Sequence, residues 1–66
     1  MLEIVRRLRS IRRMKKMSQL DLAKRTGLNR SYISQVENGL NNPSLKVVIS
    51  WSNALGCELN VIVKDI

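Results

Sequence analysis

Apolar positions along the chain fall into five runs, four at helical spacing and one alternating. In "MLEIVRRLRSIRRMKK" Ile4, Leu8 and Ile11 recur at i, i+4 and i+7, a single stripe with arginines on the other faces and no Gly or Pro to interrupt it. The spacing predicts a helix from about Leu2 to Met14. The next run, "SQLDLAKRTG", opens on Ser18, a good N-cap. Asp21 follows three residues on, as a short stand-in for the Glu of a capping box. Lys24 and Arg25 fall in the last turn, where cations suit the helix dipole, and Gly27 supplies the stop. This second helix is about two turns long. Leu28 leads to Asn29, another N-cap candidate, and a third helix is predicted from Arg30 to Glu37, closed by "ENG".

"LNNPS" is a loop in which Pro43 and the Ser44 cap announce a fourth helix. In "SLKVVISWSNALG" the inward face is expected to hold Leu45, Val48, Ser52 and Leu55, flanked by Ile49 and Trp51, with Gly56 as the end. Trp51 and Met17 read as core. The tail, "CELNVIVKDI", alternates Leu59, Val61 and Val63 with Asn60, Ile62 and Lys64, and its Val-Ile-Val run is β-branched throughout. That is a strand signal, and a lone strand cannot satisfy its own amides and carbonyls. The expected fold is therefore all-α, a bundle of about four helices over residues 1–58. A C-terminal strand over residues 59–66 would pair across a dimer.

The third helix carries an unusual outer face. Ile33 and Val36 share one side, whereas Arg30, Ser31, Ser34, Gln35 and Asn38 share the other, at i, i+1, i+4, i+5 and i+8. An ordinary solvated helix would carry more Glu and Lys there. Two short helices joined by a tight turn with a glycine form a helix-turn-helix. The major groove of B-DNA, about 12 Å wide, admits one helix, and base edges are read by hydrogen bonds. A mostly uncharged row of donors and acceptors suits that task.

Composition narrows the partners. A chain of 66 residues is one small domain with a marginal core. Its single Cys57 allows no intrachain disulfide, and without histidine it makes no zinc site. Cys57 reads as a small hydrophobe. Twelve Lys and Arg stand against five Asp and Glu, a net charge of +7, and seven of the twelve lie between Arg6 and Lys16. Such an excess favours a polyanion, either nucleic acid or an acidic membrane. No apolar run approaches the roughly 20 residues of a membrane span, and no signal peptide is visible. The chain is expected to be a complete cytoplasmic protein with a reduced thiol.

The pattern "SQ..LA...G....YIS..ENG...PS" is matched by Ser18, Gln19, Leu22, Ala23, Gly27, Tyr32, Ile33, Ser34, Glu37, Asn38, Gly39, Pro43 and Ser44. In these residues the chain resembles the Cro/repressor-type helix-turn-helix domain of the XRE family, over about Arg7 to Leu59, and so implies a lambda-repressor-like bundle. The resemblance puts Gln19 where a phosphate is contacted and the recognition helix is braced. It puts Arg30, Ser31 and Gln35 where base edges are read, Arg30 suiting guanine and Gln35 adenine. Tyr32 and Ser34 fall where bases or flanking phosphates are met, although Tyr32 also suits packing on a neighbouring helix and the two serines also suit solvent. Asn38 and the backbone of "GLNN" fall where the sugar-phosphate chain is touched, and Asn29 and Asn41 join them as candidate DNA contacts. Arg12 and Glu37 match positions that form an ion pair. Of Arg6, Arg9, Arg13, Lys15 and Lys16, no more than one or two are expected to reach DNA.

Family members usually end in a fifth short helix, and here "ELNVIVKDI" stands in its place. Antitoxins of the HipB type look similar in this respect. The expectation is a homodimer through Leu59, Val61, Ile62 and Val63, bound to double-stranded DNA at a pseudo-palindromic operator and acting as a transcriptional regulator, most simply a repressor. The alternative is an antitoxin-type protein whose main partner is a toxin protein. A membrane-surface role for the basic first helix is disfavoured, because its apolar face lacks Trp and Phe. No catalytic site is evident, since without histidine the nucleophiles lack their usual base and the five acids form no evident pair. A Ser with a nearby Lys is formally possible, but nothing suggests a cleft, and no cofactor is implied.

Overall fold

A computed structural model describes residues 2–58 as four helices: α1 Leu2–Met14, α2 Gln19–Thr26, α3 Arg30–Glu37 and α4 Leu45–Ala54. The expected strand falls on residues 59–66, outside the described residues.

Local chemistry accounts for the helix ends that follow the start of α1. Ser18 and Asp21 form a reciprocal capping box, Asp21 N donating to Ser18 Oγ at 3.0 Å and Ser18 N to Asp21 Oδ2 at 3.1 Å. Asn29 Oδ1 accepts from Ser31 N at 2.7 Å, and Ser44 Oγ from Val47 N at 3.3 Å. Three C-termini close with the same pair of backbone bonds, a Schellman motif. In α3 these are Leu40 N to Gln35 O at 2.8 Å and Gly39 N to Val36 O at 3.1 Å, with Gly39 at φ 76°. In α1 they are Met17 N to Arg12 O and Lys16 N to Arg13 O, and the left-handed position is held by Lys16 at φ 56°. Among the described residues Lys16 alone adopts positive φ without being glycine.

The core is built of Val5, Leu8, Leu22, Ala23, Ile33, Val36, Val48, Trp51 and Leu55. Both α1 and α2 pack on α3 and α4, so the α2–α3 pair is held from behind while one side of α3 stays free. Two details depart from the hydrophobic pattern. The inner stripe of α1 is Val5, Leu8 and Arg12, with Ile4 and Ile11 only half-buried. A charged side chain takes an inward position because its counter-charge lies there. On α4 the buried face is Val48, Trp51, Ser52 and Leu55. Leu45 is 63% exposed and Ile49 41%, against the expectation that Leu45 points inward. The stripe runs on geometrically to Leu45, but in that first turn it is Val47 and Val48 that meet the core, and the Leu45 side faces out. Ser52 is tolerated inside because its Oγ donates to Val48 O at 2.9 Å.

Candidate nucleic-acid interface

The turn between α2 and α3 is stitched by Thr26. Its Oγ1 donates to Leu22 O at 2.8 Å and accepts from Leu28 N at 3.2 Å. Gly27, in the left-handed conformation at φ 75°, donates to Ala23 O and turns the chain. Asn29 then starts α3, its inner residues Ile33 and Val36 locked in the core. At about 100° per residue, Arg30, Ser34, Asn38, Ser31 and Gln35 spread over an arc of about 140° on the opposite side.

Five of the nine predicted contact residues line one shallow hollow: Gln19 from α2, and Arg30, Ser31, Ser34 and Gln35 from α3. Asn38 and Asn41 stand at its margin, Asn38 Nδ2 donating to Ser34 Oγ at 3.4 Å and Asn41 Nδ2 to Gln35 Oε1 at 3.2 Å. The other two lie apart. Tyr32 is half-buried and packed against the core, on the flank of the arc. Asn29 has its oxygen committed to the cap, which leaves its amide nitrogen as the group free to face a ligand.

Behind the hollow lies a buried charge cluster. Arg12 grips Glu37 with two bonds, Nε to Oε2 at 2.7 Å and Nη2 to Oε1 at 2.9 Å, and its Nη1 donates to Met17 O at 2.7 Å. Gln19 Nε2 donates to the same Glu37 Oε1 at 2.9 Å. The two expected tethers, Arg12 to Glu37 and Gln19 to the recognition helix, are thus one network joining α1, α2 and α3. Its carboxylate, on a side chain 2% exposed, would otherwise be an uncompensated buried charge.

Arg9 belongs to this cluster, and its sequence position left it among several equivalent cations. Its Nε lies 4.0 Å from Glu37 Oε1 and is buried without a hydrogen-bond partner. Oε1 already accepts from Arg12 and Gln19, so both its lone pairs are engaged. Two guanidinium groups against one carboxylate leave one net positive charge beside Gln19. The available signal was that Arg9 precedes Arg12 by three residues and so shares its flank of α1.

Comparison with known proteins agrees with this geometry. The helix-turn-helix family matches residues 8–62. The immunity repressor protein of Bacillus phage phi105 is 36% identical over 59 residues, 89% of this chain and 41% of that protein. An uncharacterised HTH-type transcriptional regulator of Sinorhizobium fredii is 38% identical over 63 residues, 96% of this chain and 32% of that protein. The chain therefore spans less than half the length of either relative. The crystal structure of the restriction-modification controller protein C.AhdI from Aeromonas hydrophila superimposes with a TM-score of 0.84 at 38% identity, covering 92% of each chain. None of these three is described as an antitoxin, and nothing in them supports the toxin-partner alternative. Among the described residues no helix is long and apolar enough to cross a membrane. A match covering most of the 66 residues, with the polar third helix and its braced turn in place, makes this chain a member of the helix-turn-helix family.

Proposed function

We propose that the protein is a sequence-specific regulator of transcription that binds double-stranded DNA by setting α3 into the major groove. The observation that carries this reading is the convergence of Gln19, Arg30, Ser31, Ser34 and Gln35 on one exposed hollow backed by a rigid core. Hydrogen-bonding groups of both kinds, with a single charge at Arg30, suit base edges better than they suit bulk solvent. Arg30 is assigned a bidentate pair to guanine, Gln35 an adenine, and Ser31 and Ser34 the neighbouring bases or phosphates. Asn29, Asn38 and Tyr32 flank them toward the sugar-phosphate chain.

Arg9 is the helix-1 arginine assigned to a phosphate. It adds the net positive charge beside Gln19, which faces the hollow. Affinity then rests largely on phosphate contacts and falls with salt, while specificity rests on α3. One recognition helix reads only a few base pairs, so a homodimer on a two-fold symmetric operator is proposed, with Leu59, Val61, Ile62 and Val63 in its contact. Repression is the regulatory sign the phage relative suggests.

The test is selection of bound sequences from a randomised double-stranded pool at roughly physiological salt. A two-fold symmetric motif with half-sites about 10 base pairs apart is expected. Enrichment of nothing beyond bulk DNA would overturn the reading.

A further inference from the structure

Beyond the end of α3 the chain doubles back on Gln35. The left-handed Gly39 lets Leu40 N donate to Gln35 O at 2.8 Å, which fixes the backbone immediately before Asn41 against the helix end. From there Asn41 Nδ2 reaches the side chain of the same residue, Gln35 Oε1, at 3.2 Å. Backbone and side chain of Gln35 are thus both held by one short loop. Both Gln35 and Asn41 are exposed, and Gln35 lines the hollow on the face proposed to enter the groove.

We propose that Asn41 is a specificity-positioning residue: by holding the Gln35 carbonyl it fixes the order in which the amide presents acceptor and donor, and so makes Gln35 discriminate adenine from guanine. This deepens the DNA-binding reading above and rests on it. A side-chain carbonyl oxygen has two acceptor sites, and Asn41 occupies one, leaving the second and both Nε2 hydrogens for a base. Adenine offers an N6 donor beside an N7 acceptor, which matches that pair. Guanine offers O6 and N7, both acceptors, so the held carbonyl would face O6 with no hydrogen between them. An amide free to swing can instead turn Nε2 toward O6 or N7 and accept guanine as well. Asn41 therefore acts on the choice between bases through Gln35, without touching DNA itself.

A direct backbone contact by Asn41 makes the opposite prediction. Phosphate contacts carry no sequence information, so their loss weakens all sites alike. The experiment is the same pool selection run with four full-length proteins: wild type, Asn41→Ala, Gln35→Ala and the double variant. Gln35→Ala should erase the adenine preference in one column of the motif. Asn41→Ala should lower the adenine-to-guanine ratio in that same column by roughly three- to tenfold, the worth of one net hydrogen bond, with other columns unchanged. In the Gln35→Ala background it should change no column. Asn41→Asp, which exchanges the donor for an acceptor, should pull Nε2 inward, turn the amide over and also lose the adenine preference. A loss of affinity shared by every sequence, or a motif for Asn41→Ala identical to the wild type, overturns the inference while leaving DNA reading intact. A wild-type protein that selects no motif overturns the DNA reading and this inference together.

Discussion

Replacing Arg12 by Met tests whether the buried network holds the three helices together. Met keeps an unbranched stem of similar reach but removes both bonds to Glu37 and the bond to Met17 O. The side chains of Arg12 and Glu37 are 8% and 2% exposed, so water cannot replace what is lost. Breaking a buried pair from one side costs about 3–5 kcal/mol. Gln19 still donates to Glu37, and Arg9, at 4.0 Å, can move closer. These remaining partners keep the expected loss near the lower end, about 3 kcal/mol. A domain of 66 residues has roughly 3–10 kcal/mol in total, so most of the stability is at stake. At about 4–8 °C per kcal/mol the midpoint should fall by about 12–24 °C. Thermal and urea unfolding would be followed by circular dichroism at one fixed protein concentration, since association shifts apparent stability. The Arg12→Met/Glu37→Leu double variant should recover part of the loss, because the buried carboxylate leaves together with its main partner, although Gln19 and Arg9 lose theirs. A single variant within about 1 kcal/mol of wild type, as for an exposed pair, would refute the reasoning. So would a double variant no more stable than the single one.

Arg9→Ala should weaken DNA binding about equally for all sequences and reduce the slope of log affinity against log salt by about 1; an unchanged slope would remove Arg9 from the phosphate contacts. Arg30→Ala should cost about 1–3 kcal/mol of binding and relax one base column, whereas a loss uniform over sequences would show that Arg30 meets only phosphate. Lys16→Gly should raise stability by about 0.5–1 kcal/mol by removing a side chain from a left-handed position, and a decrease in urea midpoint would contradict this. The bonds from the Ser18 backbone and side chain, aided by Lys24 and Arg25, hold the Asp21 carboxyl below its usual range. The folded state therefore binds its proton less readily than the unfolded chain does. The contribution is complete above the ordinary aspartate pKa and disappears as pH falls through the lowered one. The stability gap between wild type and Asp21→Ala should narrow across that acid window. A gap that stays constant, or widens, on acidification would count against the capping box as its source.

How much of this was legible beforehand follows from the range of each interaction. Caps, stops and helical stripes act over three to five residues, so Ser18 with Asp21, Asn29, Ser44 and Gly27 announced the helix ends, and the outer face of α3 was visible as a row of polar positions. The link from Arg12 to Glu37 spans 25 residues and became an expectation through family resemblance, not through local pattern. Periodicity placed Ile4 and Ile11 where Val5 and Arg12 turn inward, because it scores an arginine as solvent-facing whatever charge lies opposite. It likewise sent Leu45 inward, because a stripe does not say which side of the first turn of α4 meets the core. The sequence by itself determined four helices, their caps and the polar face of the third. Only the tertiary structure decided which arginine of the first helix stands beside Gln19 and which loop residue holds the amide of Gln35. Those are distances between groups that no short stretch of chain contains, and they are set by how the helices pack.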